Sequence, residues 1–218
     1  SYHIEQYQKL KNVNLIGCFD IDKNALLKVK EKYAVNIFEN LNDLLKQCDA
    51  VSIVTPTITH FDISKKAILS GCHVLIEKPI TQHSNEASEL LELAKKEKCI
   101  VQVGHIERFN AAFHTLKIKN INPKFIESHR ISPFNARGTD VDVILDLMIH
   151  DIDILLTLVQ SSVKDIKASG VSVLSKTLDS VSARVEFMNG CVANLTASRI
   201  ANKKIRKFRF FEDRSYTT

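Results

Sequence analysis

The first hundred residues alternate short apolar runs with stretches whose apolar residues recur every three or four positions. Short apolar runs predict strands, and the longer periodic stretches predict helices. Gly71 is expected to end one helix, and Ser84 is the candidate N-cap of another. Strands that alternate with helices in this way indicate a parallel sheet covered on both faces. The predicted strands are 14–20, 35–38, 50–54, 73–76 and 100–103, and the predicted helices are 23–33, 41–46, 59–70 and 84–96.

After Gly104 the pattern changes, and from Asp165 onward it turns to consecutive strands. The dipeptide Asn189-Gly190 lies between two of them and is a strong signal for a β-hairpin. With a two-residue loop, Val185 and Ala193 lie on opposite faces, and both faces of the hairpin are partly apolar. We therefore expect helices on one face and a partner subunit on the other. The predicted elements are helices at 110–118 and 145–159 and strands at 124–131, 180–187 and 192–199.

These patterns predict an α/β domain with a parallel sheet over residues 1–105, which is the architecture of an α/β Rossmann-like dinucleotide-binding domain. An α+β domain with an open, mainly antiparallel sheet is expected to follow over 106–218. A dinucleotide fold opens with a strand and a Gly-x-Gly-x-x-Gly turn, which binds the pyrophosphate. The six glycines of this chain lie too far apart to form that turn. We therefore expect the chain to be a fragment that is incomplete at both ends.

The composition is that of an ordinary globular protein, with 44% hydrophobic and 25% charged residues. The sequence shows neither an apolar run long enough to cross a membrane nor a signal peptide. Its five cysteines are odd in number and include no Cys-x-x-Cys. This argues for reduced thiols in the cytoplasm and against a disulfide framework or a zinc site.

The net charge of +5 is modest, and part of it lies in the segment 203–209, where basic and apolar residues interleave. One interpretation is a nucleic-acid patch. The interpretation we favour is a strand with one solvated basic face, because the patch is local. We therefore expect neither a nucleic acid nor a membrane as a partner.

Two segments carry candidate chemistry. The apolar strand at 73–76 runs into Glu77-Lys78-Pro79, which brings a lysine to the edge of the sheet where α/β folds bind ligands. In the nearly apolar helix at 145–159, Asp146, His150 and Asp153 share one stripe. Buried charges are costly unless they are paired or used. A structural histidine or a zinc site is the alternative for the helix, although no third metal ligand has suitable spacing.

The Glu-Lys-Pro strand end, the Asp-x-x-x-His helix and the stretch 104–110 together resemble the Gfo/Idh/MocA family of nicotinamide-dependent sugar and polyol oxidoreductases. Within that family, 130–134 and 146–153 are similar to the branch that oxidises the 3-hydroxyl of UDP-N-acetyl-hexosamines or their uronic acids. The resemblance implies that His150 is the base, that Lys78 stabilises the developing alkoxide and that Asp146 orients the histidine. The partly apolar faces of the hairpin lead us to expect a homo-oligomer joined through the C-terminal sheet. A free sugar or polyol such as inositol is the alternative substrate, and a non-catalytic ligand-binding relative is the alternative class.

An acidic residue at the end of a dinucleotide-fold strand holds the ribose hydroxyls and repels a 2′-phosphate, so Asp20 favours NAD over NADP. Its alternative role is to cap the next helix, which Asp22 could do equally well. Arg130, together with Arg137, is a candidate for binding a diphosphate. Asn110 could instead be the N-cap of a helix, and Arg108 could instead be an ordinary surface arginine. The resemblance implies that the cofactor-binding residues include Thr55, Pro56, His60, Glu77 and Lys78, and that the substrate residues include Arg108, Asn110 and Arg137.

Overall fold

The structure is a computed structural model that describes residues 2–119, 121–135 and 140–218. The chain folds into two compact units. The first comprises the residues up to 55 together with 59–103, and the second comprises 56–58 and 104–218.

The first unit is built around three parallel strands in the order β1-β2-β3. The helix bounds agree with the sequence pattern to within one residue at each end. Gly71 has a positive φ of 82°, which costs glycine little, just after the fourth helix. The helices are α1 Tyr2–Tyr7, α2 Lys23–Tyr33, α3 Leu41–Leu45, α4 His60–Leu69 and α5 Ser84–Glu97; the strands are β1 Ala50–Ile53, β2 His73–Ile76 and β3 Val101–Val103.

One apolar core holds this unit together. Val74 and Ile76 of β2 are buried, and they belong to the same cluster as Ile68 of α4 and Leu90 of α5. Burying side chains of this size stabilises a fold by roughly 1.5–3 kcal/mol each. The core thus fixes β2, whose carboxyl end leads into Glu77-Lys78-Pro79.

Three predictions for the first unit are wrong. The segments 14–20 and 35–38 are not strands in the structure, and only an isolated parallel bridge between Cys18 and Ile37 joins them. Two backbone hydrogen bonds at this bridge are too few to build a ladder. The N-cap of α5 is His83 and not Ser84, and the Glu86 carboxylate accepts a hydrogen bond from the His83 N–H at 3.2 Å.

The second unit contains a six-stranded sheet in the order β5-β6-β7-β4-β8-β9. β4 and β7 are parallel and all other neighbours are antiparallel, so the predicted open, mainly antiparallel sheet is confirmed. The 3₁₀ turn Ile106–Phe109, the helix α6 Ala111–Ile118, the π-helical turn Ile144–Met148 and the helix α7 Ile149–Leu158 accompany it. The strands are β4 Phe125–Ile131, β5 Val163–Val171, β6 Ser180–Phe187, β7 Val192–Ser198, β8 Ile205–Glu212 and β9 Ser215–Thr217.

The β6–β7 hairpin forms as predicted, but its register differs by one residue. Phe187 donates its N–H to the Cys191 carbonyl at 2.9 Å, so the loop has three residues, with Gly190 at a φ of 86°. A shift of one residue moves side chains to the other face. Val185 therefore pairs with Ala193 on one buried face, and the prediction of two partly apolar faces is wrong.

A buried ion pair fastens the loop before β6. Asp179 and Arg199 are both almost fully buried, and the Arg199 Nε donates to the Asp179 carboxylate at 2.9 Å. Burial raises the pKa of Asp179, but hydrogen bonds from Ser175, two more backbone N–H groups and Arg199 lower it far below its ordinary value. Arg199 also donates to the Val141 carbonyl at 3.0 Å, which ties down the chain before the π-helical turn. The carboxylate therefore stabilises the fold at neutral pH and loses that contribution as the pH falls below about 4.

We predict that Arg199→Met lowers the melting temperature by roughly 10 °C, because it leaves the Asp179 carboxylate buried without its cation. Arg184→Met is the matched control, since Arg184 is largely exposed and pairs with Glu186 at the surface. Thermal unfolding followed by circular dichroism gives both values. Equal melting temperatures for the two variants would contradict a structural role for the buried pair.

Candidate active site

The carboxyl end of β2 brings Glu77 and Lys78 to one edge of the parallel sheet. Lys78 precedes Pro79 through a cis peptide bond. The Pro79 carbonyl lies 2.8 Å from the Nδ1 of His60, and the Nε2 of the same ring lies 2.9 Å from the Thr55 carbonyl. The imidazole of His60, only 1% exposed, thus links the chain after Lys78 to the end of β1.

Glu77 makes contacts on the opposite side of Lys78. Its Oε1 lies 2.9 Å from the Nε2 of His3 in α1, and its Oε2 accepts the Lys78 backbone N–H at 3.3 Å. The Glu77 N–H donates to the Ile53 carbonyl of β1 at 3.0 Å. These contacts fix the backbone on which the Lys78 side chain is carried.

Asp20 is exposed and does not cap α2. The cap is Asp22, whose carboxylate accepts the N–H groups of Asn24 and Ala25 at 2.9 and 3.2 Å. The Asp20 carboxylate accepts the Asp22 N–H at 2.9 Å. The alternative interpretation of Asp20 as the helix cap is therefore wrong, and its carboxylate faces solvent where a ribose could reach it.

Asp146 and His150 lie on a helix whose first turn is π-helical. The Asp142 carboxylate accepts the N–H groups of Ile144 and Leu145, both at 3.0 Å, at the start of this turn. In a π-helical turn the backbone hydrogen bonds reach the fifth residue, as from the Ile149 N–H to the Ile144 carbonyl. The prediction of one regular α-helix over 145–159 is thus wrong in its first turn, and Asp146 belongs to this turn whereas His150 lies in α7.

The two further acidic residues of α7 are paired with arginines. Asp151, 1% exposed, accepts hydrogen bonds from Arg130 Nε at 2.7 Å and from the Ser128 hydroxyl at 2.8 Å. Burial raises the pKa of Asp151, and the hydrogen bonds from Arg130 and Ser128 oppose that shift. Asp153 accepts Arg108 in a bidentate contact, with Nε to Oδ2 at 2.8 Å. Arg130 is 5% exposed and committed to this pair, so its predicted contact with a diphosphate is wrong.

Glu107 is the carboxylate on which two arginines converge. Its Oε1 lies 3.4 Å from the Nη1 of Arg130 and 3.4 Å from the Nη1 of Arg206. Burial by itself raises the pKa of Glu107. The positive charges of Arg130, Arg206 and, when it is protonated, His150 outweigh burial and hold this pKa below its ordinary value. The Glu107 carboxylate therefore stays ionised close to His150 of α7.

The predicted substrate residues have local roles in the structure. Asn110 is the N-cap of α6 and accepts the Ala112 N–H at 2.9 Å, which was its alternative interpretation. The Arg108 side chain is half exposed and reaches Asp153. Arg137 lies outside the described residues. Where the chain is described, no group of three or more His, Cys, Asp or Glu side chains could hold a metal ion.

Sequence reasoning missed His3, Glu107, Asp151 and Arg206. Asp151 gave a signal, because an aspartate in an almost wholly apolar helix requires a cation. Glu107 lies between His105 and Arg108 in a polar stretch that looks like a surface turn. His3 and Arg206 gave none, since their contacts with Glu77 and Glu107 join residues far apart in the chain.

Two family models match the chain from one end almost to the other. Residues 1–105 match the oxidoreductase family with an NAD-binding Rossmann fold, and 102–214 match the GFO/IDH/MocA C-terminal domain. The chain belongs to the Gfo/Idh/MocA family. Its fold class, as predicted, is the NAD-binding Rossmann fold of this family followed by the C-terminal sheet domain.

Among relatives in this family, the UDP-N-acetylglucosamine 3-dehydrogenase of Acidithiobacillus ferrooxidans is 37% identical over 98% of this chain and 68% of its own length. The scyllo-inositol 2-dehydrogenase (NAD(+)) of Bacillus subtilis is 30% identical over 78% of this chain and 53% of its own length. The chain thus spans about two thirds of the first of these relatives and about half of the second.

Solved structures agree with the fold. The structure of the Acidithiobacillus ferrooxidans enzyme superposes with a TM-score of 0.90 at 37% identity, over 96% of this chain and 69% of that one. A scyllo-inositol dehydrogenase from Lactobacillus casei, with bound NAD(H) and scyllo-inositol, superposes with a TM-score of 0.84 at 20% identity, over 99% and 71%. At that identity the second match supports the fold alone.

The residues of the first unit fit the NAD cofactor of the Gfo/Idh/MocA family. Thr55 follows β1 and Glu77 follows β2, so both lie at the carboxyl edge of the parallel sheet, where such folds bind nucleotides. The Asp20 carboxylate is exposed and does not cap α2. His60, by contrast, is buried and contacts two backbone carbonyls, so it supports the loop at 55–60 from within.

Proposed function

We propose that the protein is an NAD-dependent dehydrogenase that oxidises a secondary hydroxyl of a sugar, and specifically the 3-hydroxyl of a UDP-linked amino sugar. The observation that carries this proposal is the presence of Lys78 after the end of β2 and of Asp146 and His150 on the helical segment 144–158. The 37% identity to a UDP-N-acetylglucosamine 3-dehydrogenase supports the substrate class.

The chemistry assigns one task to each of these residues. When bound, NAD accepts the hydride that leaves the carbon atom. His150 takes the hydroxyl proton, because an imidazole exchanges protons near neutral pH. The Lys78 ammonium stabilises the negative charge that develops on the hydroxyl oxygen. Asp146 orients the imidazole of His150 or binds a neighbouring hydroxyl of the sugar.

The alternative substrate is a free polyol such as inositol, since inositol dehydrogenases share the fold. We favour the nucleotide sugar because the identity to the UDP-N-acetylglucosamine 3-dehydrogenase is higher and extends over almost the whole chain. A non-catalytic relative would have no need of Lys78, Asp146 and His150 together.

We predict that Lys78→Met in the full-length protein lowers kcat by about a hundredfold with little change in NAD affinity, because the variant loses charge stabilisation that matters in the transition state. His150→Asn should be comparably severe and should remove the acid limb of the pH–rate profile. Initial rates of NADH formation with UDP-N-acetylglucosamine, and separately with inositol, provide the test. Wild-type turnover in Lys78→Met would reject the mechanism, and faster turnover of inositol would reject the nucleotide sugar.

We also predict that the protein prefers NAD to NADP by several-fold or more in kcat/KM. Asp20→Asn should reduce this preference, because it removes the charge that repels a 2′-phosphate but keeps the oxygen that accepts the Asp22 N–H. The comparison variant is Asp22→Ala, which loses the cap of α2 and should lower stability by about 1 kcal/mol while leaving the preference unchanged. Equal use of the two cofactors by the wild type would mean that Asp20 does not contact the ribose.

We propose in addition a cytoplasmic homo-oligomer joined through the outer face of the six-stranded sheet. All five cysteines are free, which suits a reducing compartment. On the outer face, Phe125, Phe211 and Tyr216 form an aromatic cluster with ring centroids 5.7 and 5.2 Å apart. Such a cluster is typical of surfaces that bind a partner. No helix of the described chain is long and apolar enough to cross a membrane.

Light scattering of the full-length protein should give a mass of at least two chains. Thr196→Lys, on the outer face between Ser182 and His129 in register, should weaken the assembly because a two-fold contact brings the new charge towards its own copy. Thr115→Lys, on the exposed side of α6, is the matched control and should not change the mass. A monomeric wild type would reject the proposed assembly.

A further inference from the structure

Two histidines hold the backbone on either side of Lys78. On one side, His3 contacts the Glu77 carboxylate, which accepts the Lys78 N–H. On the other side, His60 contacts the Pro79 carbonyl. Every one of these contacts lies within the first unit. They brace the peptide that carries the lysine from the residue before it and from the residue after it.

The His60 side of this brace is buried. Carbonyl oxygens only accept hydrogen bonds, so the ring of His60 donates to the Pro79 carbonyl, the Thr55 carbonyl or both. The ring of His60 is almost fully shielded from solvent. A polar group enclosed in this way is costly to leave unsatisfied, so this side of the brace is rigid.

The His3 side can be altered without opening the core. His3 lies in α1, and its side chain and that of Glu77 are each about a quarter exposed. A hydrogen bond to a carboxylate is stronger than one between neutral groups. The Glu77 carboxylate uses one oxygen for His3 and the other for the Lys78 N–H, so the position of α1 is coupled to the position of the Lys78 peptide.

A lysine side chain has four carbon atoms between its backbone and its ammonium group, so the ammonium is placed well only if the backbone is. Catalytic groups must be held to within about half an ångström, and an error of 1 Å can reduce the rate by up to a hundredfold. We propose that His3 is a positioning residue for Lys78, acting through the Glu77 carboxylate. This inference rests on the proposed function, in which the Lys78 ammonium stabilises the alkoxide.

The test uses three substitutions in the full-length protein. His3→Leu keeps most of the side-chain volume and removes the ring nitrogen. His3→Gln restores a donor, because its Nε2 lies the same number of bonds from Cα as the histidine Nε2. Tyr7→Phe is the matched control, since Tyr7 lies one turn further along α1 and loses a different contact, the one between its hydroxyl and the Ser52 hydroxyl.

We expect His3→Leu to lower kcat roughly tenfold while the NAD dissociation constant from calorimetry changes by less than about threefold. His3→Gln should recover most of the rate, and Tyr7→Phe should keep the wild-type rate. The decisive measurement places His3→Leu in the Lys78→Met background. If His3 acts through Lys78, the added substitution costs no further activity there.

The outcomes separate the inference from the proposed function. If His3→Leu lowers kcat by the same factor with and without Lys78, or lowers NAD affinity by as much as kcat, His3 supports the fold or the cofactor and the inference is overturned. If Lys78→Met is slow but His3→Leu turns over like the wild type, only the inference fails. If Lys78→Met itself is unimpaired, the proposed function fails and the inference with it. Should His3→Leu unfold in a thermal melt, Glu77→Gln, which keeps the shape and weakens the contact, is measured in the same two backgrounds.

Discussion

The ion pair between Arg130 and Asp151 is the contact on which the arrangement of the second unit depends. Both side chains are almost fully buried, and two nitrogens of Arg130 reach one oxygen of Asp151 at 2.6 and 2.7 Å. A buried charge that loses its partner is strongly destabilising, so the helix cannot slide along the sheet without a large cost. His150 precedes Asp151 in the chain, and the pair therefore also fixes where the proposed base lies.

The same constraint explains why so many charges lie beneath this helix. Arg130 reaches Asp151 and Glu107, Glu107 also contacts Arg206, and Arg108 pairs with Asp153. Each carboxylate has an arginine, and the cluster holds three residues of each sign. Arg130 and Asp151 are buried, whereas Arg108 and Arg206 are about half exposed. Pairing and hydrogen bonding make the buried charges tolerable. The two acidic residues that follow His150 in this apolar helix, Asp151 and Asp153, are therefore each paired with an arginine.

The sequence pattern predicted the elements whose structure depends on their own residues. The bounds of α2 and β2 are as expected, since helical periodicity and a short apolar run are local signals. The prediction of a strand at 14–20 was wrong, because a strand needs a ladder of hydrogen bonds to a neighbouring strand, and here only one isolated bridge forms. The hairpin register was wrong because one residue in the loop at 188–190 decides which face a side chain occupies.

The candidate site was predictable to the extent that it lies in short motifs. Lys78 was found from a strand end, and His150 from a polar stripe in an apolar helix. Glu107 and His3 were not found, because they contact Arg130 and Glu77 through the fold and not along the chain. Arg130 was assigned to a ligand for the same reason: its carboxylate partner lies 21 residues away.

The π-helical turn at Ile144–Met148 makes the spacing of this segment matter as well as its composition. A regular helix advances by about 100° for each residue, so the loss of one residue would rotate everything before the deletion by that angle relative to α7. The loss of Leu147 or Met148 would therefore rotate Asp146 relative to His150, although both side chains would still be present. Substitutions among Ile144, Leu145 and Leu147 change only packing, whereas a single-residue deletion changes geometry. The length of this turn is therefore more strongly constrained than the identity of its apolar residues.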